Sequence, residues 1–409
     1  MVERLQIAIV GAGVAGLAAA ALLTRLGHRV CVYERFETSR PVGSGLLLQP
    51  TGLAALERLG LRGEIEALGH RIERLDGRTT AGRVVFNLAF ADLSDDLHAL
   101  AVHRGALHGV LWRGFERSGA ALEADTTVET VEARDGERPV LRDRRGRALP
   151  AADLVIDASG ASSPLRAALS ARPPKPFAYG AVWATVADIG LGAGALTQRF
   201  ERARVMIGYL PLGRLAASGP PLAAFFWSLK PADHDRWRAG FEAWRREVPR
   251  LWPEVAPVVE GFQGPDALTL AAYQHFDVAP VGGRLALLGD AAHCTSPQLG
   301  QGANQGLIDA VVLADALARE AELPAALALY ARARRRHVRF YQWASRLMTP
   351  FFQSDRALLG LARDLTFERM RRLPYLRREM VRTLAGLKTG VFTSAAPARI
   401  VNALAGGAK

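Results

Sequence analysis

Residues 5–34 restrict this chain more than any other stretch. Leu5 to Val10 is a short apolar run with strand character, followed at once by Gly11-Ala12-Gly13-Val14-Ala15-Gly16. Leu17 to Leu26 carries the apolar pattern of a helix that Gly27 stops, and Arg29 to Tyr33 reads as a second strand ending at Glu34. A G-x-G-x-x-G between strand and helix, with an acidic residue about 20 positions on, marks a dinucleotide site. Gly11 permits the tight turn, Gly13 lets backbone approach a pyrophosphate, and Gly16 lets helix and strand close on each other. Val14 and Ala15 open the helix, whose unpaired N–H groups and positive dipole end suit phosphates. Glu34, followed by Arg35, stands where a carboxylate accepts ribose hydroxyls. The pattern alone does not choose between NAD and FAD.

A second pattern lies at 284–310. A strand, Leu285 to Leu288, ends at Gly289-Asp290, a loop with Pro297 follows, and a helix begins near Gly302 and runs through Ala318. Asp290 at a strand end is placed to bind a sugar or ribityl hydroxyl. Gly300, Gly302, Ala303 and Asn304 bring backbone N–H groups to a helix start, where they can meet a polar ring edge or a phosphate.

Together these segments resemble the class A flavoprotein monooxygenases, the family of para-hydroxybenzoate hydroxylase. The likeness rests on Gly289-Asp290-Ala291-Ala292-His293, the Pro297 loop and the 300–304 stretch, some 280 residues after the first motif. Gly43-Ser44-Gly45 with Leu48-Gln49-Pro50, and Arg104 at a helix opening, belong to it as well. The resemblance implies FAD, cradled by the first glycine motif and held by Glu34 at the adenosine ribose. It implies contacts from Gly45 and Arg104, Val128 near the adenine, Asp290 on the ribityl chain and residues 297–304 around the ring system. It also implies the chemistry. NAD(P)H reduces FAD, the reduced flavin takes up O2 at C4a, and the hydroperoxide passes an OH group to an electron-rich ring. The Pro297 carbonyl is the candidate contact to substrate. One position departs from the family: Ser159-Gly160 stands where an Asp-Gly is usual, and the resemblance implies an effect on flavin reduction rather than on flavin binding.

The fold class expected is α/β: a Rossmann-type FAD-binding domain with an inserted, mostly antiparallel β-sheet substrate domain and a C-terminal helical segment. With 409 residues the chain has room for two domains. The boundaries read as 1–75, 98–172 and 275–340 for the FAD domain, 76–97 and 173–274 for the substrate domain, and 341–409 for the helical segment. Asp233 to Glu247 reads as one helix, and Pro350 and Pro374 as breaks in the last helices. Gln49, Trp183, Tyr209, Phe225 and Trp227 are the candidate pocket residues, because a planar substrate needs an apolar, aromatic-lined wall. Strand alternation places Phe226 on the opposite face from Phe225 and Trp227.

Composition excludes several other classes. At 49% hydrophobic and 22% charged the chain is not disordered. No apolar run nears the ~18 residues of a membrane span, no secretory signal pattern precedes Leu5, and Cys31 and Cys294 are too few for a disulfide framework. A cytoplasmic enzyme is expected. The nine histidines and two cysteines form no metal-ligand spacing, so no metal is expected. The net charge of +12 is concentrated at one end: residues 331–409 hold 17 Lys+Arg and 4 Asp+Glu. The most basic part, Glu368 to Arg382, contains only Tyr375 as an aromatic, which disfavours nucleic acid as a partner. Leu376, Met380, Leu384 and Leu387 form a stripe that predicts a helix packed on the body, with Arg377, Arg378 and Arg382 off the stripe. The alternative is docking on an anionic bilayer, which would favour a membrane-associated flavin hydroxylase or reductase acting on a polyprenyl or quinone lipid precursor. Oligomeric state is not encoded in any motif.

Overall fold

The run at 6–10 becomes the middle of a six-stranded sheet. Its order is Val281–Gly282, Leu285–Leu287, Leu154–Asp157, Gln6–Val10, Arg29–Tyr33 and Ala121–Glu123. Every neighbour is parallel except the edge strand Val281–Gly282. The computed structural model describes residues 2–38, 43–132 and 137–404. Alternate side chains of the sheet go to opposite faces, and both faces are covered, which is why its strands read as continuous apolar runs. Ile7, Ile9, Val32 and Ile156 enter the core beneath the helices Val14–Arg25 and Gly302–Arg319. Ala8, Val10, Tyr33 and Val155 enter a second core with Val128 and Leu141 from the hairpin Val128–Glu132 and Val140–Asp143 and with Leu149 just after it.

A seven-stranded sheet stands beside it, ordered Thr269–Ala271, Gly180–Ala187, Leu222–Leu229, Val205–Gly213, Ala195–Glu201, Arg74–Thr79 and Val84–Ala89. It is antiparallel except where Ala195–Glu201 meets Arg74–Thr79. One face carries Val182, Ile207, Tyr209, Phe225 and Trp227 against Trp237, Phe241, Trp244 and Trp252 of its own helical layer. The other face carries Met206, Leu210, Leu212, Ala224 and Phe226 into the core shared with the dinucleotide half. The chain thus has the α/β architecture expected, a Rossmann-type half with an inserted sheet.

The segment read as one helix, Asp233 to Glu247, is two, His234–Ala239 and Phe241–Leu251, meeting at Gly240. Pro249 and Pro350 lie inside the last turns of Phe241–Leu251 and Leu323–Phe352, so neither breaks its helix early. Pro374 sits in the first turn of Pro374–Leu384, where its missing N–H has no intrahelical partner to lose. Met380 and Leu384 pack against the main core and Leu387 is buried, as the stripe predicts. Arg377 pairs with Asp92 at 2.9 Å, and Arg378 donates to the Asp92 carbonyl at 3.1 Å. Among the described residues no helix is long and apolar enough to cross a membrane.

Candidate active site

The glycine motif closes the end of the central strand. Gly11 has φ +100°, and a Cβ there would sit 2.7 Å from the Ala158 carbonyl oxygen. A Cβ on Gly16 would fall 1.9 Å from the Gly11 oxygen, so helix and loop touch only because both are glycine. Gly13 differs. It caps the helix Val14–Arg25, and nothing lies within 4 Å of the Cβ it lacks. The first two glycines serve the fold, and the third keeps open the space in front of the helix N-terminus that a pyrophosphate needs. Glu34 lies at the lip of this space, buried, its Oε2 accepting from the Ala12 amide at 2.7 Å and its Oε1 from Phe36 at 3.1 Å. Arg35 is exposed, its guanidinium 4.6 Å from the Phe36 ring centre. His108, which the sequence reading missed, hydrogen-bonds the Ala12 backbone from the helix Arg104–Ser118; burial lowers its pKa.

Arg104 opens that helix, and its side chain runs along the face of Gly43, where a Cβ would meet its Nη1 at 2.9 Å. Gly45 answers a packing need instead, since a Cβ there would fall 2.3 Å from Leu212. Val128 is buried at the start of its strand, in the core beneath Tyr33.

The 289–304 segment folds as a short helix, Asp290–His293, a turn Pro297–Leu299 and the helix Gly302–Arg319. Asp290 Oδ1 would lie 3.7 Å from a Cβ on Gly302, so the carboxylate stands beside the start of that helix, with Ala303 next to it. Asn304 is fully buried and committed to the protein. Its Oδ1 accepts from the Gln49 amide at 2.9 Å, and its Nδ2 donates to the carbonyls of Leu47 and Gly300. The Asn304 side chain thus staples two loops that flank the site, while its backbone N–H lies in the first turn of the helix Gly302–Arg319. The Pro297 carbonyl already accepts from the Gly300 amide at 2.9 Å, which leaves it one lone pair for any other partner. Gln49 is buried, and its Oε1 has no hydrogen-bond partner. An orphaned acceptor of this kind is costly unless a ligand donates to it. The open cradle at Gly13 and this orphan oxygen both fit a bound FAD.

Ser159 is held from below. Its hydroxyl donates to Asp157 Oδ1 at 2.6 Å and its amide to the same oxygen at 3.0 Å, while Ser163 donates to Oδ2. Asp157 is fully buried, and burial pushes its carboxyl above the usual range against these hydrogen bonds. Arg166 completes the turn, donating to the carbonyls of Ala291, Gly160 and Ala161 with its guanidinium 3.7 Å above the Phe276 ring. The segment thus ties the Ser159 loop to the Asp290 helix.

Of the five pocket candidates, Trp183 packs against the core shared by the two halves, and Gln49 sits beside Gly300 and Asn304. Tyr209, Phe225 and Trp227 instead share the face that is sealed by the helical layer, and Tyr209 spends its hydroxyl on Asp188 at 2.6 Å. The two-residue period that separates Phe226 from its neighbours sends the neighbours outward. Phe226 points inward and stacks on Trp183 with ring centres 4.4 Å apart, over Gly208, whose Cβ would meet the Phe226 ring at 1.8 Å. Trp183 Nε1 donates to the Tyr273 hydroxyl at 3.0 Å. Burial raises the Tyr273 phenol to about 12, so it stays protonated. Tyr273 escaped the sequence reading because it lies in a loop before Gln274–His275, with no period to place it.

Beneath the 289–293 segment lies a buried ion network. Asp309 accepts from His293 Nε2 at 2.7 Å, Arg334 Nε at 2.5 Å and the Gly289 amide at 2.8 Å. Burial alone would lower the His293 pKa, but the Asp309 carboxylate raises it. Burial likewise opposes ionisation of Asp309, and His293 and Arg334 hold it well below the carboxylate range. His337 joins Arg334 to the Gly386 carbonyl and stays neutral, its pKa lowered to about 3 by burial and by Arg334. His293 is thus structural, bracing the Asp290 helix from behind. Among the described residues no group of His, Cys, Asp and Glu could hold a metal.

Comparison with known proteins agrees with this geometry. Residues 4–342 match the family described as FAD binding domain. The chain is 29% identical over 344 residues to an aurachin C monooxygenase/isomerase of Stigmatella aurantiaca, covering 81% of this chain and 85% of that one. It is 31% identical over 334 residues to a 3-amino-4-hydroxybenzoate 2-monooxygenase of Streptomyces cremeus, covering 78% and 80%. Its fold is that of Klebsiella pneumoniae HpxO complexed with FAD and uric acid, at a TM-score of 0.78, 22% identity and 94% and 98% coverage.

Proposed function

Because this chain belongs to the FAD-dependent aromatic monooxygenase family, of the para-hydroxybenzoate hydroxylase class, we propose that it hydroxylates an aromatic or heteroaromatic small molecule, with O2 as oxidant and NAD(P)H as reductant. It is an enzyme, an FAD-dependent monooxygenase. The observation that carries the substrate reading is the inward face of the seven-stranded sheet: Trp183 stacked on Phe226 and tethered to Tyr273. An apolar aromatic wall with few polar groups suits a planar ring. The names of the two relatives, a hydroxybenzoate monooxygenase and an aurachin monooxygenase, support a ring-shaped substrate.

FAD, when bound, supplies oxygen activation and transfer, and the protein positions and shelters it. Gly11, Gly13 and Gly16 with Glu34 would receive the dinucleotide half, with Arg104 and Asp290 nearer the ring system. Trp183 and Phe226 would align the substrate ring, and their apolar surface would keep water from the reacting oxygen. Turnover with 18O2 tests the reading. Label is expected in the product; label arriving from water, or reduction of the substrate with no oxygen gained, would defeat it.

The lipid-substrate alternative draws on a different surface from the one expected. The stripe at 376–387 is half-buried, with Met380, Leu384 and Leu387 against the core, whereas Trp343, Leu347, Leu358 and Leu361 are exposed around the end of the helix Leu323–Phe352 and the start of Ala357–Arg372. Sedimentation with anionic liposomes tests it: binding lost in Trp343→Ser and Leu347→Ser would favour a lipid precursor.

A further inference from the structure

Resting on the exposed surface that the lipid reading draws on, we propose that the end of the helix Leu323–Phe352 and the start of Ala357–Arg372 dock on an anionic bilayer. Apolar side chains at this tip enter the acyl margin, and arginines behind it meet the lipid phosphates. The partner is the membrane itself, whether the substrate is a lipid or a water-soluble ring.

Charge chooses the partner. The helix Leu323–Phe352 holds six arginines and not one Asp or Glu. Arg334 turns inward, to Asp309. Arg332, Arg335, Arg336, Arg339 and Arg346 are exposed, and among the described residues none of them makes an ion pair. At 3.6 residues per turn these five fall with Trp343 and Leu347 within one arc of about 120°. A surface helix ordinarily offsets such charges with an acid one turn away, and this one has none to offer. The next acids along the chain are already paired: Asp355 with Lys230, Asp364 with Arg363, and Glu368 with Arg83 and Arg372. Elsewhere arginines find such partners, as Arg58 does in Asp315 and Arg113 and Arg117 in Glu64. Unpaired charge of one sign along several turns attracts a polyanion.

The apolar side chains say which polyanion. Leu358, 78% exposed, shares one face of its helix with Leu361, Leu365 and Arg369, at spacings of three and four residues. The two faces meet, because Arg346 and Pro350 line one hollow with Arg356 and Leu359. Nucleic acid would answer the arginines and leave these leucines and Trp343 in water. A bilayer of anionic lipids answers both, with the apolar tip in the interface and the basic residues at the phosphates. The link between the helices is firmly held. Gln353 donates to the Gly180 carbonyl at 3.0 Å and accepts from Gln298 Nε2 at 2.9 Å, and the Ser354 amide donates to the Ala203 carbonyl at 2.7 Å. A docked tip is therefore joined directly to the strand that carries Trp183 and to the turn expected at the flavin.

Cosedimentation of the FAD-loaded full chain with vesicles of equal parts phosphatidylcholine and phosphatidylserine tests the surface. Binding should fall with added salt and be much weaker on phosphatidylcholine alone. Arg335→Gln/Arg336→Gln/Arg339→Gln should weaken it about a hundredfold, roughly fivefold for each arginine. Leu358→Ser/Leu361→Ser should weaken it at every salt concentration, and the blue shift of tryptophan emission on binding should shrink in Trp343→Phe. Flavin content and melting temperature check that these exposed changes leave the fold intact. No binding at low salt, equal binding to the two kinds of vesicle, or full binding in either multiple variant would overturn the proposal. So would retention on heparin without binding to vesicles. Vesicle binding without 18O in any product would leave the docking surface standing and remove the hydroxylase reading. Labelled product without vesicle binding would remove the docking surface alone.

Discussion

The Ser159 hydroxyl donates to Asp157 at 2.6 Å, so the residue that departs from the family is anchored by a buried carboxylate two positions before it. Ser159→Ala removes a hydrogen bond to a carboxylate that water does not reach, a loss of about 1.5–3 kcal/mol. Ser159→Asp does more: it sets a second carboxylate against Asp157, so one must take up a proton or move away. Flavin content near normal is therefore expected in the alanine variant and not in the aspartate variant, where both melting temperature and flavin content should drop. Normal flavin content and stability in Ser159→Asp would show that the Asp157 contact is dispensable.

Gly13 and Gly16 separate cofactor loss from fold loss. A Cβ at Gly13 meets nothing, so Gly13→Glu should give an apoprotein that melts within a few degrees of the wild-type apoprotein but retains no flavin. Gly16→Ala puts a carbon 1.9 Å from the Gly11 oxygen and should reduce soluble, folded protein itself. Circular dichroism with flavin absorbance distinguishes the two. Stoichiometric flavin in Gly13→Glu would refute the cradle.

Removal of the Tyr273 hydroxyl leaves Trp183 Nε1 without its partner, at a cost of about 1–3 kcal/mol to the placement of the indole. Tyr273→Phe should keep full flavin content yet release more hydrogen peroxide per NAD(P)H consumed, because the ring wall is less fixed. Trp183→Ala, which also loses the stack on Phe226, should leak more. An unchanged ratio of product to peroxide in both would place the substrate elsewhere.

His337 makes stability sensitive to acid. Its folded pKa is lowered to about 3, so the unfolded chain takes up a proton below pH ~6.5 that the folded protein refuses. Stability is therefore lost as pH falls, by about 2 kcal/mol at pH 5 from this group. His293 works in the opposite direction. Its raised pKa gives a contribution that is full below pH ~6.5 and fades as pH rises through the folded value. Urea unfolding at pH 7 and pH 5 should show a smaller acid loss in His337→Gln than in wild type. Equal losses would mean that His337 is protonated within the fold.

The glycine motif, the 289–304 segment and the separation of Phe226 from Phe225 and Trp227 were legible because each depends on local spacing: a turn, a helix start, a two-residue alternation. Phe225 and Trp227 were misplaced because alternation says which residues share a face, not which face meets the flavin; the helical layer from Trp237 to Trp252 decides that. The stapling role of the Asn304 side chain was not legible, since its partners at 47–49 lie some 255 positions away. Tyr273, Arg334 and Gln353 gave no signal, because their roles arise only when distant segments meet.

The Asn304 staple also has a consequence for synthesis. The central strand Gln6–Val10 leaves the ribosome long before its partner Leu154–Asp157, and that strand's own neighbour Leu285–Leu287 comes later still. Gln49 then waits for Asn304. Much of the seven-stranded sheet, from Arg74 to Leu229, is complete before the sheet that opens the sequence. Contacts this far apart form slowly and leave apolar strands uncovered while they wait. The FAD site is thus completed only when segments nearly 300 residues apart have met, and a nascent chain holds its glycine turn half-built until the 285–304 segment arrives.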